Sequence, residues 1–224
     1  MYHAYLAVHA HNGYNANTMW QFLLSIVFPP HHNERTLATL TSLTPQSYNV
    51  TTARGTNVLT CARYDEPHVH CAVQLLKKHG NEHAVLLLAQ LLNDTLLEEL
   101  ARDQIWDPKD IVLIPLPLSK KRSRERGFNQ VEKVCEALPT QLRQHIDTAI
   151  LTRTVHTKLQ KTLSRPERFL NVAGVFSVSN PEKVQGKRVI LIDDVLTTGA
   201  TLDEAAHVLR QAGAEVAAVA LARA

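Results

Sequence analysis

Cysteine is scarce in this chain: Cys61, Cys71 and Cys135 are the only three. An odd, widely spaced set excludes a disulfide framework and a C-x-x-C redox pair, and it predicts reduced thiols in a cytoplasmic protein. Four thiolate or imidazole ligands at ribbon spacing cannot be assembled either, so no zinc is expected. No uninterrupted apolar run reaches membrane-spanning length. The longest near the start, residues 19–28, ends at Pro29 and Pro30 and is about half of what a span needs, so no membrane is expected. It lacks a basic flank and a small-residue cleavage site, which argues against a signal peptide and for a short helix packed on the main domain. Gly-x-Gly-x-x-Gly and Gly-x4-Gly-Lys-Ser/Thr are both missing, which argues against a dinucleotide fold or a P-loop. Phe128 is the only aromatic near the lysine- and arginine-rich run at 120–126, so stacking support for a single nucleic-acid strand is thin.

Forty-five per cent of the residues are hydrophobic, enough for one full core with room for an appendage. The net charge of +3 names no partner, but its distribution is uneven. Lys120, Lys121, Arg122, Arg124 and Arg126 fall within seven residues, opposed only by Glu125.

The most informative stretch is 188–202, Arg-Val-Ile-Leu-Ile-Asp-Asp-Val-Leu-Thr-Thr-Gly-Ala-Thr-Leu. Residues 189–192 are apolar and largely β-branched, as suits a parallel strand buried on both faces. Asp193 and Asp194 are expected to end that strand, where the carboxyl edge of an open α/β sheet makes its ligand crevice. Thr197, Thr198, Gly199, Ala200 and Thr201 then lead into a helix with Leu202, Ala205, Ala206 and Leu209 on one face. Free backbone N–H groups, the positive helix end and the threonine hydroxyls make an anion cradle, and Gly199 allows close approach.

A second apolar strand is predicted over 111–114. It is followed by Pro-Leu-Pro-Leu, Ser119, the basic run, Gly-Phe-Asn-Gln at 127–130 and a helix reaching Leu138, stopped by Pro139. A run of lysines and arginines is ordinarily a solvated face. From strand end to helix start it is instead suited to gripping a polyanion, because arginine offers forked donors to phosphate oxygens. Residues 58–63 read as a strand, 64–67 as a turn, 68–79 as a helix ended by Gly80, and 84–102 as a second, mostly buried helix. Residues 33–57 show no clear period and read as loop or irregular structure. A third strand is expected over 149–153 and a fourth over 172–178. Between them runs a polar connection, 156–168, whose length suits a mobile lid bearing Gln160, Arg165 and Arg168. A last strand over 215–221 completes a strand-helix-strand unit.

Apolar strand, paired acids, Thr-Thr-Gly-x-Thr and amphipathic helix in that order resemble the signature of the type I phosphoribosyltransferases. Further matches bring the resemblance to the ComF family, the competence-associated branch, over about residues 59–223. They are Pro115-Leu116-Pro117-Leu118-Ser119, Arg126-Gly127-Phe128-Asn129-Gln130, Leu151-x-Arg153, Thr157-x-x-Gln160-x-x-Leu163, Arg168-x-x-Asn171-Val172 and Phe176. The neighbourhood of Lys77 fits too, though Lys78 stands where the family tends to have an aromatic. The front departs: Phe28-Pro29-Pro30 remains, but His31-His32-Asn33 follows, without the cysteine-rich zinc ribbon typical of the family.

The resemblance implies an open, mostly parallel α/β sheet over 57–224 with a short irregular or helical appendage at 1–56. It implies phosphoribosyl pyrophosphate (PRPP) as ligand, accompanied by Mg²⁺. Asp193 and Asp194 would hold the ribose hydroxyls, Thr197 to Thr201 the 5-phosphate, and Ser119, Lys120, Arg122 and Arg126 the departing pyrophosphate. No side chain is assigned as a metal ligand. It also leaves open a non-catalytic role in DNA uptake, with single-stranded DNA or a competence protein as partner. Acceptor and oligomeric state are not readable from the residues.

Overall fold

The computed structural model describes residues 32–102, 110–153 and 175–224. The 156–168 connection with Gln160, Arg165 and Arg168, and the apolar stretch 19–28, lie outside them.

Short apolar segments form a five-stranded sheet. The strands are β1 (Tyr48–Thr51), β2 (Asn57–Thr60), β3 (Ile111–Pro115), β6 (Arg188–Leu196) and β7 (Glu215–Arg223), in the order β1-β2-β7-β6-β3. Only the β1–β2 pair is antiparallel; β2–β7, β7–β6 and β6–β3 are parallel. A separate antiparallel pair, β4 (Leu151–Arg153) and β5 (Phe176–Val178), packs beside it. The third predicted strand is shorter than expected, the fourth is described only from 175 onward, and the two pair with each other and not with the main sheet.

Because successive strand residues point to opposite faces, β6 divides its apolar side chains evenly. Ile190 and Ile192 enter one buried cluster, together with Leu59, Leu113, Val219 and Leu221. On that face pack α2 (Pro67–His79), α3 (Glu82–Arg102) and α5 (Gln130–Glu136). Val189 and Leu191 enter the other cluster with Val58, Val112 and Ile114, under α7 (Ala200–Gln211) and the β4–β5 pair. All four residues predicted for the apolar face of α7, Leu202, Ala205, Ala206 and Leu209, are buried there.

Residues 33–57 are more ordered than their composition suggests. They include the short helix α1 (His32–Leu37) and β1, which pairs with β2 from Tyr48 opposite Thr60 to Thr51 opposite Asn57. Residues 48–56 therefore pack with the unit that was expected to begin at 57. A four-residue edge strand is too short for a period-two pattern to stand out.

Helix ends follow local chemistry. Glu66 caps α2 by accepting from the Val69 amide at 2.7 Å, Pro67 opens it, and Gly80 ends it in the left-handed region at φ 57°. A Cβ at Gly80 would press on the Phe128 ring and the Lys133 ammonium, so the glycine also admits a close approach from the segment before α5. The basic run is a helix, not a loop: α4 (Lys120–Arg126), capped by Ser119, which accepts from the Arg122 amide at 3.3 Å. Ser119 is a good cap residue and the run contains no breaker before Gly127. The predicted helix up to Leu138 ends earlier, and α6 (Thr140–Arg143) follows Pro139.

Candidate ligand site at the carboxyl edge of the sheet

After β3 the chain turns to α4 and α5 on one face, whereas after β6 it turns to α7 on the other. Adjacent strands whose continuations part in this way leave a crevice at their carboxyl ends, the usual ligand position in open α/β sheets. Here β6 outruns β3. The last paired residue of β3 is Pro115, opposite Ile192, while β6 continues along β7 to Leu196 opposite Arg223. The acids therefore stand inside a strand, not at its end as expected, and it is the departure of β3 that uncovers them.

A cavity of about 340 Å³ occupies this position. Asp193, Asp194, Thr197, Thr198, Gly199, Ala200 and Thr201 line it, and so do Arg122 from α4 and Arg153 from β4. Among the other residues predicted for the site, Ser119 serves as a helix cap, Lys120 is exposed and Arg126 is half-buried; none of these three lines the cavity. On a helix only part of a basic run can face one way, and here Arg122 does.

The two acids differ. Asp194 is buried, and its Oδ2 accepts from the Gln130 amide nitrogen at 2.7 Å while lying 3.2 Å from the Lys77 ammonium. Asp193 uses Oδ1 to accept from the backbone amide of Asp194 at 2.7 Å. Burial, reinforced by the neighbouring Asp194 charge, pushes the Asp193 carboxyl up to about 7, against the pull of that amide, Lys77 and Arg122. Positive charge or hydroxyl donors brought beside it would favour its charged form and release that proton to solvent. Arg153 is shifted down, chiefly by burial, with Glu204 and Asp193 opposing the shift and Arg122 adding to it. It also stacks its guanidinium over Phe176 at 5.2 Å.

The cradle is held from behind. Gly199 has φ 74° and is the N-cap of α7, and a Cβ there would collide with the methyl of Thr52. The Thr52 hydroxyl donates to Asp203 in the first turn of α7 and accepts from the Thr56 amide at 3.0 Å. The amide of Arg54 donates to the same carboxylate at 3.3 Å. The β1–β2 turn thus braces the turn at 197–201.

Besides Arg153 and Gln130, which entered only within family motifs, three participants escaped sequence reasoning in their roles. Tyr64 was read only as part of a turn, yet it lines the cavity and accepts a hydrogen bond at its hydroxyl from Gln74 at 2.8 Å. Lys77 was noted only as fitting a family pattern. Thr52 lay in a segment without periodicity. A lysine in the last turn of a helix is sufficiently explained by the helix dipole, so nothing local marked Lys77 out. Among the described residues, no group of three or more His, Cys, Asp or Glu side chains could hold a metal ion. None of the described helices is long and apolar enough to cross a membrane. Cys61, Cys71 and Cys135 are all buried as free thiols.

This order of strands, with paired acids and a Thr-rich turn at the carboxyl edge of the central strand, defines an α/β fold of the type I phosphoribosyltransferase kind. The phosphoribosyl transferase domain family matches residues 131–224. The chain is 33% identical over 157 residues to the DNA utilization protein YhgH of Salmonella typhi, covering 70% of this chain and 67% of that protein. It is 39% identical over 110 residues to the competence protein ComFC of Bacillus subtilis (strain 168), covering 49% and 42%. Against YhgH of Escherichia coli O157:H7 the figures are 38% over 102 residues, 46% and 44%. In the last two comparisons the match spans less than half the relative's length. The chain belongs to the ComF family.

Proposed function

We propose that the cavity binds PRPP together with Mg²⁺ and supports phosphoribosyl transfer to an acceptor. The observation that carries this reading is the convergence, around one cavity, of two carboxylates, an anion-binding helix start and two guanidinium groups. Each suits a different part of a 5-phosphorylated sugar diphosphate. The turn at 197–201 offers amides and hydroxyls to the 5-phosphate, and Asp193 and Asp194 offer acceptors to the ribose hydroxyls. Arg122 and Arg153 offer forked guanidinium donors to the diphosphate. The donor set also fits Mg²⁺: a hard cation takes oxygen ligands and commonly relies on substrate phosphates in place of an all-protein cage, and Asp193 and Asp194 are the carboxylates that would help to hold it. When bound, Mg²⁺ neutralises charge on the departing diphosphate.

As the bond from the anomeric carbon to the diphosphate oxygen breaks, positive charge develops on the ribose and negative charge on the leaving group. The acids favour the first and the arginines the second, so positioning and electrostatics carry the chemistry. Zinc has no part in this reading.

A second reading rests on the outward side of α4. Lys120, Lys121 and Arg124 are exposed and lie outside the cavity lining, so they are available to a polyanion such as single-stranded DNA. The names of the relatives, DNA utilization and competence proteins, point the same way. The readings separate by mutation and calorimetry with PRPP and Mg²⁺. Asp193→Asn with Asp194→Asn should abolish PRPP binding without loss of fold, and Arg122→Gln should weaken it. Changing Lys120, Lys121 and Arg124 to Gln should leave PRPP affinity unchanged. Equal PRPP affinity in the double aspartate variant would overturn the site assignment. Single-strand binding lost only in the triple variant, with log affinity falling by about 0.7 per neutralised phosphate against log salt, would establish the second function.

A further inference from the structure

Lys77 belongs to α2, a helix that precedes the segment matched by the phosphoribosyl transferase domain family, yet its ammonium lies 3.2 Å from Asp194 Oδ2. Gln130 donates to the same oxygen at 2.7 Å. One carboxylate oxygen is therefore held by two donors arriving from two different helices. The other half of the pair is arranged in a complementary way, because Asp193 spends its Oδ1 on the Asp194 amide. Among the described residues, Asp194 Oδ1 and Asp193 Oδ2 are left without a hydrogen bond, one free oxygen on each of two adjacent acids.

The side chains that do the holding are themselves held. Gln130 is buried, and α5, which it opens, is capped by Asn129. Lys77 is about a quarter exposed, with side-chain accessibility 23%, and leans towards the Tyr64 ring at 6.0 Å from its centroid. Tyr64 in turn is fixed through its hydroxyl by Gln74, one turn earlier on the same helix. An ammonium held in this way fixes the carboxylate plane, which an isolated, freely rotating aspartate could not keep.

We propose that Lys77 is a positioning residue: with Gln130 it clamps Asp194 so that the two free oxygens of the acid pair match the vicinal cis-hydroxyls of a ribose. This rests on the reading of the cavity as a phosphoribosyl site and adds to it the means of discrimination between sugars. The β2–α2 segment is then part of the site. A site built to receive a hydroxyl rejects the analogue lacking it far more strongly than an apolar pocket rejects a missing methylene, provided its acceptors are fixed. Loosening the acceptor therefore costs selectivity before it costs phosphate binding.

The test measures affinities of the full chain for ribose 5-phosphate, its 2-deoxy and 3-deoxy analogues, and inorganic phosphate. The proteins compared are the unaltered chain, Lys77→Met, Lys77→Arg and the exposed neighbour Lys78→Met as control. In Lys77→Met, the preference for ribose 5-phosphate over at least one deoxy analogue should collapse about tenfold or more, while inorganic phosphate binds as before. Lys77→Arg should restore much of the preference, and Lys78→Met should change nothing. Full selectivity in Lys77→Met overturns the proposal, as does equal loss of all four affinities in a folded Lys77→Met protein. Should the unaltered chain bind none of the sugar phosphates, it is the phosphoribosyl reading of the cavity that fails.

Discussion

Gly199 meets two demands at once. Its φ of 74° lies where a side chain is strained, and the Thr52 methyl fills the space a Cβ would need. Gly199→Ala should therefore destabilise the fold by about 1 kcal/mol or more from the backbone alone. Because the displaced backbone is the cradle itself, phosphate affinity should fall with it. Thermal melting and phosphate calorimetry on one variant check both, and an unchanged affinity would mean that the turn does not hold the anion. Thr52 belongs to the same contact: its hydroxyl donates to the buried Asp203 carboxylate. Neither demand is visible from the glycine's sequence neighbours, since Thr52 is distant in the chain and lies in a segment with no periodicity.

At the scale of elements, Asn129 joins the start of α5 to the end of β3. Its Oδ1 caps α5 by accepting from the Val131 amide at 3.0 Å, while its Nδ2 donates to the Leu116 carbonyl after β3 at 3.2 Å and to Glu132 at 2.9 Å. Loss of a cap costs about 1 kcal/mol, up to about 2 in buried settings. Asn129→Ala should reach the upper part of that range and should also weaken sugar binding, because Gln130 stands next to it and holds Asp194. Denaturant unfolding and ribose 5-phosphate calorimetry test the pair of effects; full binding in a destabilised protein would separate the cap from the site. The basic run taught a different lesson about elements. Its charge and its position after a strand were legible, but seven residues with a serine in front and a glycine behind formed a helix. Helical geometry then sent Arg122 to the cavity and left Lys120, Lys121 and Arg124 in solvent.

For the whole molecule, the buried acid imposes a pH dependence. Asp193 titrates at about 7 in the folded chain, whereas an unfolded aspartate titrates at about 4. The folded state thus holds this proton more tightly, so the stability connected with it is full below about pH 4, declines as pH rises, and levels off above about 7. Asp193→Asn removes that dependence. Relative to the unaltered protein its melting temperature should be raised most at pH 8, with the difference shrinking towards pH 5. A pH-independent difference would mean that Asp193 does not titrate in this range. Asp147 contributes in the opposite sense: burial resists its ionisation, but Lys183 at 3.0 Å and the amides of Ala149 and Ile150 prevail and lower it. Its stabilisation is lost as pH falls through its folded value, which steepens acid unfolding.

Local order determined much of this protein from the sequence by itself. Unbroken apolar runs specified the buried parallel strands at 111–114 and 189–192, 3.6-residue spacing specified the buried faces of α2 and α7, and leucine content marked α3 as mostly buried. The adjacency of Asp193, Asp194 and the Thr-rich turn made the site recognisable, because strand-turn-helix chemistry lies within fifteen consecutive residues. The tertiary structure decided what depends on distant partners. The pairing of β4 with β5 and the brace from Thr52 to α7 are contacts between segments far apart in the chain. So is the clamp of Lys77 and Gln130 on Asp194. A lysine at a helix end and a threonine in an irregular stretch look ordinary until the fold brings them within hydrogen-bond reach of a buried carboxylate, where the scarcity of water makes each contact count.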